Sequence, residues 1–149
     1  MHTARGDLTI KRPHTPASSP LRAWSAADSL VIDELVGEGI DAESSVQSLG
    51  RLLIINDEFG ALSCALADAE PTVWTDSLLS RRAIDKNLDA NGLPAIPTER
   101  HVYGHEQPIG SFDTIVVRIP KTSALLEHQL RVVAAIAGPD ASVVGTGMA

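Results

Sequence analysis

The feature that most narrows what this chain can fold into is a repeated switch between short β-branched runs and longer stretches of helical period. "RLLIIN" at 51–56 is a near-continuous apolar run, the pattern of a strand buried on both faces. "FGALSCALADA" at 59–69 follows it with helical spacing. "TVWTD" at 72–76 and the helix "SLLSRRAIDKNLDAN" form the next pair, with Gly92 placed to stop the helix at C′. "RHVYG" at 100–104 supplies a third strand and "DTIVVRI" at 113–119 a fourth, the most apolar. "TSALLEHQLRVVAAIA" then sets Leu125, Leu126, Gln129, Leu130, Val133 and Ala137 on one face before Gly138 and Pro139, and "ASVVGTG" at 141–147 is a fifth strand. Strands alternating with helices imply βαβ units. The expected fold is therefore α/β, a mainly parallel twisted sheet with right-handed crossovers and helices on both faces.

Upstream of this array the pattern changes. "PHTPASSP" at 13–20 holds three prolines and little that can pack, so residues 1–20 read as an arm with a proline-rich linker and 21–149 as the folded domain. Within the arm, "DLTIKR" alternates Leu8 and Ile10 with polar neighbours and would add a short edge strand. Ser19 as N-cap, Pro20 after it, and Leu21, Trp24, Ala27, Val31 and Leu35 at helical spacing predict a helix over 21–36.

Charge and cysteine content exclude several function classes. The 149 residues carry a net charge of −7, divided as +3 over residues 1–23 and −10 over the remainder. A body that acidic is a poor partner for nucleic acid by itself, so any RNA contact has to come from the basic arm or from another domain. Cys64 is the only cysteine, which excludes an internal disulfide and fits a reducing cytoplasm, and no Cys/His set has zinc spacing. The N-terminus lacks the apolar core of a signal peptide, and no run approaches the ~18 residues of a membrane span.

In open parallel sheets, ligands bind beyond the carboxyl ends of the strands, where strand order reverses. That directs attention to Asn56–Gly60, Asp76, Gly104–Glu106, Arg118–Lys121 and Gly145–Gly147. At these positions the chain resembles a known family. "RLLIINDEFGALSCALADAEPTVWTDSLLSRRAIDKNLDANG" with "FDTIVVRIPKTSALLEHQL" is similar to the N-terminal half of the two-domain ribosomal-RNA guanine-N2 methyltransferases, large-subunit type, and the likeness runs from "DLTIKR" to the last residue. The resemblance implies two tandem Rossmann-like methyltransferase folds. The C-terminal copy would bind S-adenosylmethionine and carry an Asn-Pro-Pro-aromatic motif, and the N-terminal copy would be degenerate.

The residues can be set against that implication. In active members of the wider fold the first strand ends in an acid followed by Gly-x-Gly-x-Gly, whose glycines let the backbone turn and approach the cofactor. Here Ile54 falls at the acid, Asn56 at the first glycine, Glu58 at the second and Gly60 at the third. Asparagine tolerates a left-handed turn. Glu58 adds bulk and negative charge beside a cofactor that itself bears a carboxylate. In "FDTIVVRIPK", Arg118 stands at the motif asparagine, Ile119 and Pro120 at the two prolines, and Lys121 at the aromatic. Arginine has donors and no acceptor, so it cannot receive a guanine N–H, and lysine offers no flat face for stacking. Phosphate binding and local or interdomain ion pairs are the alternatives for these two cations.

Other candidates carry two readings each. Asp76 ends a strand where an acid holds ribose hydroxyls in the family, but "TDS" also suits an N-cap, which is the favoured reading. His105 and Glu106 occupy the region that contacts adenine in the family; His101 and His105 straddle strand and loop, which suits solvated residues better than a metal pair. "GTG" at 145–147 is a lone Gly-x-Gly without the rest of a dinucleotide fingerprint. Cys64, Trp24 and Trp74 have apolar neighbours and are expected in the core.

Taken with the resemblance, these residues point to a non-catalytic methyltransferase-like domain of an rRNA guanine-N2 methyltransferase, cytoplasmic, bracing the catalytic half and helping to place rRNA. It would hold no cofactor itself, with Asn56, Glu58, Gly60 and Asp76 as vestiges of the cofactor site. The competing expectation is a competent S-adenosylmethionine-dependent domain, which Gly60 and Asp76 favour and Ile54, Glu58, Arg118 and Lys121 oppose. The methyltransferase fold has seven strands, so a series of five reads as truncated, leaving the fifth as a bare edge and allowing a dimer of the isolated domain.

Overall fold

The computed structural model describes residues 1–3, 6–12, 23–36 and 47–147. A small hairpin, β1 (His2–Thr3) and β2 (Gly6–Asp7), precedes helix α1 (Ala26–Val36). The array then runs β3 (Leu52–Ile55), α2 (Ala61–Ala65), β4 (Thr72–Thr75), α3 (Leu78–Ala90), β5 (His101–Tyr103), β6 (Phe112–Arg118), α4 (Ser123–Ile136) and β7 (Ala137–Thr146), with 3-10 turns at Ala67–Ala69 and Thr98–Arg100. The five-stranded sheet has the order β5-β4-β3-β6-β7 with every neighbouring pair parallel. The chain steps outward from β3 to β5 and then returns to the far side of β3, so strand order reverses between β3 and β6.

The apolar run of β3 explains its central place. Successive strand residues point to opposite faces. Leu52 and Ile54 enter a cluster with Val31, Ile32, Leu62, Ile84 and Leu88 from α1, α2 and α3. Leu53 and Ile55 enter a second cluster with Trp74, Ile115, Val133 and Ile136, the last two from α4. Helices thus cover both faces, as the βαβ pattern requires. Cys64 and Trp74 are core residues, 3% and 2% exposed. No helix among the described residues is long and apolar enough to cross a membrane.

Element boundaries differ from the periodicity where local chemistry outweighs it. Ala23 and Trp24 lie outside any helix, and α1 begins only at Ala26. Ser25 N donates to Asp28 Oδ2 at 2.8 Å and Asp28 N donates back to Ser25 Oγ at 3.2 Å, a reciprocal cap that fixes the start. The linker 13–20, with Ser19 and Pro20, and Leu21 fall outside the described residues. Helix α3 ends as expected: Gly92 has φ 65°, Gly92 N donates to Asp89 O and Leu93 N to Leu88 O, a Schellman stop. On α4 the buried stripe is Gln129, Val132, Val133 and Ile136, and Leu130 is 45% exposed, because it lies about 100° round the helix from Gln129. β7 starts at Ala137 rather than after Pro139, and an irregularity sets Phe112 opposite Ala137 but Thr114 opposite Ser142.

The arm segment does not join the large sheet. Leu8 and Ile10 pack against the first cluster, but β2 pairs only with β1. Instead the backbone of Thr9 exchanges two hydrogen bonds with the Asn91 amide, and that of Lys11 exchanges two with the Asn87 amide. Four helical residues rise about 6 Å and two extended residues about 6.6 Å. Two asparagines one turn apart therefore match alternate residues of an extended strap, and the side chains replace a strand ladder.

One connection lacks a helix. Residues 104–111 return from β5 to β6 as turn and coil, and Arg51 pins them by donating from Nη2 to Ile109 O at 3.1 Å. Beside β4 and β5 this leaves an open cleft of about 490 Å³, lined by Arg51, Thr72, Val102 and Ile109 among others.

Ile54 is completely buried. Ile54→Ala is expected to lower stability by about 2–5 kcal/mol in urea denaturation, whereas Leu130→Ala should stay within about 0.5 kcal/mol.

Candidate functional site

The reversal of strand order places the carboxyl ends of β3 and β6 side by side, and Asn56, the first residue beyond β3, fills the gap between them. Its φ is 66°, the left-handed conformation that asparagine tolerates. Asn56 Nδ2 donates to Arg118 O at 2.9 Å and to Gln129 Oε1 at 2.8 Å, while Gln129 Nε2 donates to Asn56 Oδ1 at 2.8 Å. One amide thus ties the end of β3 to the end of β6 and to α4. Gln129 is buried, so this reciprocal pairing satisfies a polar group that would otherwise destabilise the core.

The residues after Asn56 turn the chain into α2. Asp57 is fully buried, and its Oδ2 accepts from Ser63 N at 2.8 Å and Ser63 Oγ at 2.6 Å. Burial pushes the Asp57 carboxyl above the usual aspartate range; the Ser63 hydrogen bonds oppose this, Asp28 adds to it and Arg118 counters it. Gly60 has φ 97°, and a Cβ there would sit 3.0 Å from Ile84 Cα. A glycine is needed at Gly60 for its conformation and for the close approach of α3.

Arg118 reaches across this loop. Its Nη2 lies 3.4 Å from Glu58 Oε2 and its Nη1 3.7 Å from Asp28 Oδ2. Glu58 is half exposed and Asp28 only 1% exposed, so the guanidinium bridges a solvated and a buried carboxylate. Of the alternatives for Arg118, the geometry is that of a local ion pair. Ile119 N donates to Thr146 O at 2.7 Å, holding the turn onto β7, and Lys121 is exposed.

These groups border an open crevice of about 420 Å³ that also includes Asp76, Thr75, Ser80 and Gly147. Asp76 is not the cap of α3. Ser77 takes that role, accepting from Ser80 N at 3.2 Å, because it is the residue whose extended backbone precedes the first helical turn. Asp76 instead is exposed at the crevice, packed so closely on Gly104 that a side chain at that glycine would collide with its Cβ. Gly145 pairs with Val117 inside β7, so "GTG" forms no phosphate loop.

The two histidines separate. His105 is exposed and stacks on Tyr103 with ring centroids 6.1 Å apart. His101 is buried as the first residue of β5, with Nε2 3.4 Å from Asp85 Oδ1, because its register opposite Val73 turns it toward α3. Its expected solvation is thereby corrected. Burial, then the Arg81 charge, lower its pKa against Asp85. No group of three metal-ligating side chains occurs among the described residues. Burial, with Asp57 adding to it, pushes the Cys64 thiol up to about 12, which removes it as a nucleophile.

The lining fits S-adenosylmethionine poorly. Volume does not exclude it, since the crevice lies within the ~300–1,000 Å³ of ligand pockets. The chemistry fits less well: Glu58 and the Arg118 guanidinium line the crevice where the pattern of the wider fold would put glycine backbone and a hydrogen-bond acceptor. Asp28, Asp57 and Gln129 complete the arrangement, and the sequence pattern assigns none of them to it. The "SAAD" cap and a glutamine inside an apolar stripe are the available signals.

Comparison with known proteins identifies a family and a shared fold. The family described as RLMG N-terminal domain matches residues 1–149. The chain is 37% identical to Ribosomal RNA large subunit methyltransferase G of Pseudomonas putida, over 98% of this chain and 37% of that protein. It is 41% identical to the protein of the same name from Stutzerimonas stutzeri, over 93% and 35%. The chain therefore spans little more than a third of the length of these relatives. Among solved structures it is similar to the T. thermophilus 16S rRNA N2 G1207 methyltransferase, solved with AdoMet and guanosine, at TM-score 0.61 and 22% identity over 85% of this chain and 35% of that one. It is also similar to a hypothetical protein of the same Thermus species at TM-score 0.61 and 17% identity over 97% and 82%.

Two expectations test the charge arrangement. Arg118→Met leaves Asp28 buried without its counterion and should lower stability by about 2 kcal/mol or more, while Glu58→Gln should change it by less than about 0.5 kcal/mol. For Asp57, the unfolded carboxyl ionises first as pH rises, so the native state loses stability between the usual aspartate pKa and the raised folded value. Asp57→Asn removes that loss. Its stability relative to the natural protein should grow with pH across this window in urea titrations, and a constant gap would refute the burial argument.

Proposed function

The chain belongs to the RLMG N-terminal domain family, and from that premise we propose that it is the non-catalytic, methyltransferase-like half of a cytoplasmic rRNA guanine-N2 methyltransferase. In this reading it braces a C-terminal catalytic half, which holds S-adenosylmethionine, and helps to place rRNA. The observation that carries the proposal is Arg118. An amino-methyltransferase needs an acceptor for the target N–H at this position, and the chain supplies a guanidinium already engaged by Glu58 and Asp28. Lys121 follows where a flat aromatic would stack on a base. Asp76, exposed at the crevice, and Gly60, with its left-handed backbone, favour a cofactor-binding reading instead.

The test is calorimetric titration of the purified chain with S-adenosylmethionine and S-adenosylhomocysteine. No heat is expected up to millimolar ligand. Micromolar binding abolished by Asp76→Ala would overturn the proposal and make the crevice a working cofactor site.

A further inference from the structure

The two faces of the sheet are covered unequally. Among the described residues, α1, α2 and α3 pack on the first cluster and α4 alone packs on the second. A helix is about 10 Å across and neighbouring strands lie about 4.8 Å apart, so one helix covers about two strands. α4 takes up that width on β3 and β6 and reaches β4 through Trp74, whose ring centroid lies 6.3 Å from that of His128. The crossover that could supply a second helix on this face, residues 104–111, is turn and coil. Beside it lies the cleft of about 490 Å³. Arg51 holds the coil at the cleft's border, with its guanidinium 4.5 Å over the Phe112 ring and a hydrogen bond to Ile109 O. The Ile109 side chain is left 85% exposed, the highest value among the described large hydrophobic residues. Glu70, Glu99 and Arg100 also line the cleft, and none of them forms an ion pair among the described residues. Arg100 Nε is buried without a hydrogen-bond partner, and Glu70 has φ 50°, a left-handed backbone that is costly for a residue other than glycine or asparagine.

We propose that a helix of the catalytic half seats in this cleft, where the chain's own crossover helix is missing, with apolar side chains on Val102 and Ile109 and basic ones toward Glu70 and Glu99. This rests on the reading that the chain braces a catalytic half, and it says which surface does the bracing. The occupant follows from the length of the relatives. This chain spans 37% and 35% of two of them, so nearly two-thirds of each lies outside it. The lining has the mixed character of an interface between domains of one polypeptide, which is more polar than an obligate interface between subunits. Two unpaired acids against one unpaired base favour a partner surface with more base than acid.

The experiment is maleimide labelling of Ile109→Cys, in the chain alone and in the chain joined to the catalytic half. The natural Cys64 gives no background, because it is buried and its thiol is pushed up to about 12. Ile109→Cys should label rapidly in the chain alone and at least about tenfold more slowly in the joined form. Lys86→Cys, on the exposed side of α3, should label at rates within about twofold of each other in the two forms. Glu99→Lys, added to Ile109→Cys, should cut the protection in the joined form at least about threefold by setting like charges against each other. Equal labelling of Ile109→Cys in the two forms would overturn the proposal, as would equal protection of Lys86→Cys. Slow labelling in the chain alone would also overturn it, in favour of a cleft closed from within, or of a second copy if the protection grows with protein concentration. Failure here leaves the non-catalytic reading standing, because that reading falls only if the crevice binds cofactor.

Discussion

The structure turns on one half-buried amide, that of Asn56. At the reversal of strand order in a parallel sheet, the first two strands to diverge leave a gap at their carboxyl ends, and something must satisfy the backbone groups exposed there. Here Asn56 fills it, bonding to the Arg118 carbonyl and pairing with Gln129. The left-handed backbone of Asn56 aims the side chain inward, and Gln129 is held in the apolar stripe of α4 by the same pairing. The bond network also positions the backbone from which the Arg118 side chain extends, so the charge arrangement over the crevice follows from the amide.

That arrangement balances one guanidinium against several acids. Asp28 caps its own helix and faces Arg118; Asp57 sits beneath them, fully buried with Oδ1 unpartnered. Burial raises the Asp57 pKa, and the nearby Asp28 adds to the rise while Arg118 opposes it. Glu58 remains outside in water. Because it is half exposed, its pairing with Arg118 contributes orientation more than stability.

How much of this is legible in sequence depends on whether the signal is local or long-range. β3 and β6 are readable from their apolar runs, and the end of α3 from Gly92, since both depend on residues adjacent in the chain. Helical spacing from Leu21 misplaces the start of α1, because the Ser25–Asp28 cap is the stronger determinant. The spacing that puts Leu130 in the core sets the stripe of α4 one residue out of phase with Val132 and Ile136. Asp76 fits the composition of a cap for α3, but the neighbouring Ser77 has the geometry. At the site, the degeneracy at Glu58 and Arg118 is visible from residue chemistry alone. Asp28, the second partner of Arg118, is not, because it lies 90 residues before Arg118 in sequence and on another element. The strap is likewise invisible, since a side-chain ladder between residues 9–11 and α3 leaves no periodicity in either segment.

The connection from β5 to β6 divides the sheet unequally. On one face α4 packs against β3, β6 and, through Trp74, β4, whereas β5 lies beside a crossing stretch of coil and an open cleft. β5 is three residues long and lies at the edge. Amide protons of β3 and β6 therefore exchange only in the rarest, most complete openings of the domain, while those of β5 exchange by local detachment of a wing anchored chiefly from α3's side. The sheet is a rigid spine with one loosely hinged margin, and that margin ends in Gly104, packed on Asp76 of the crevice.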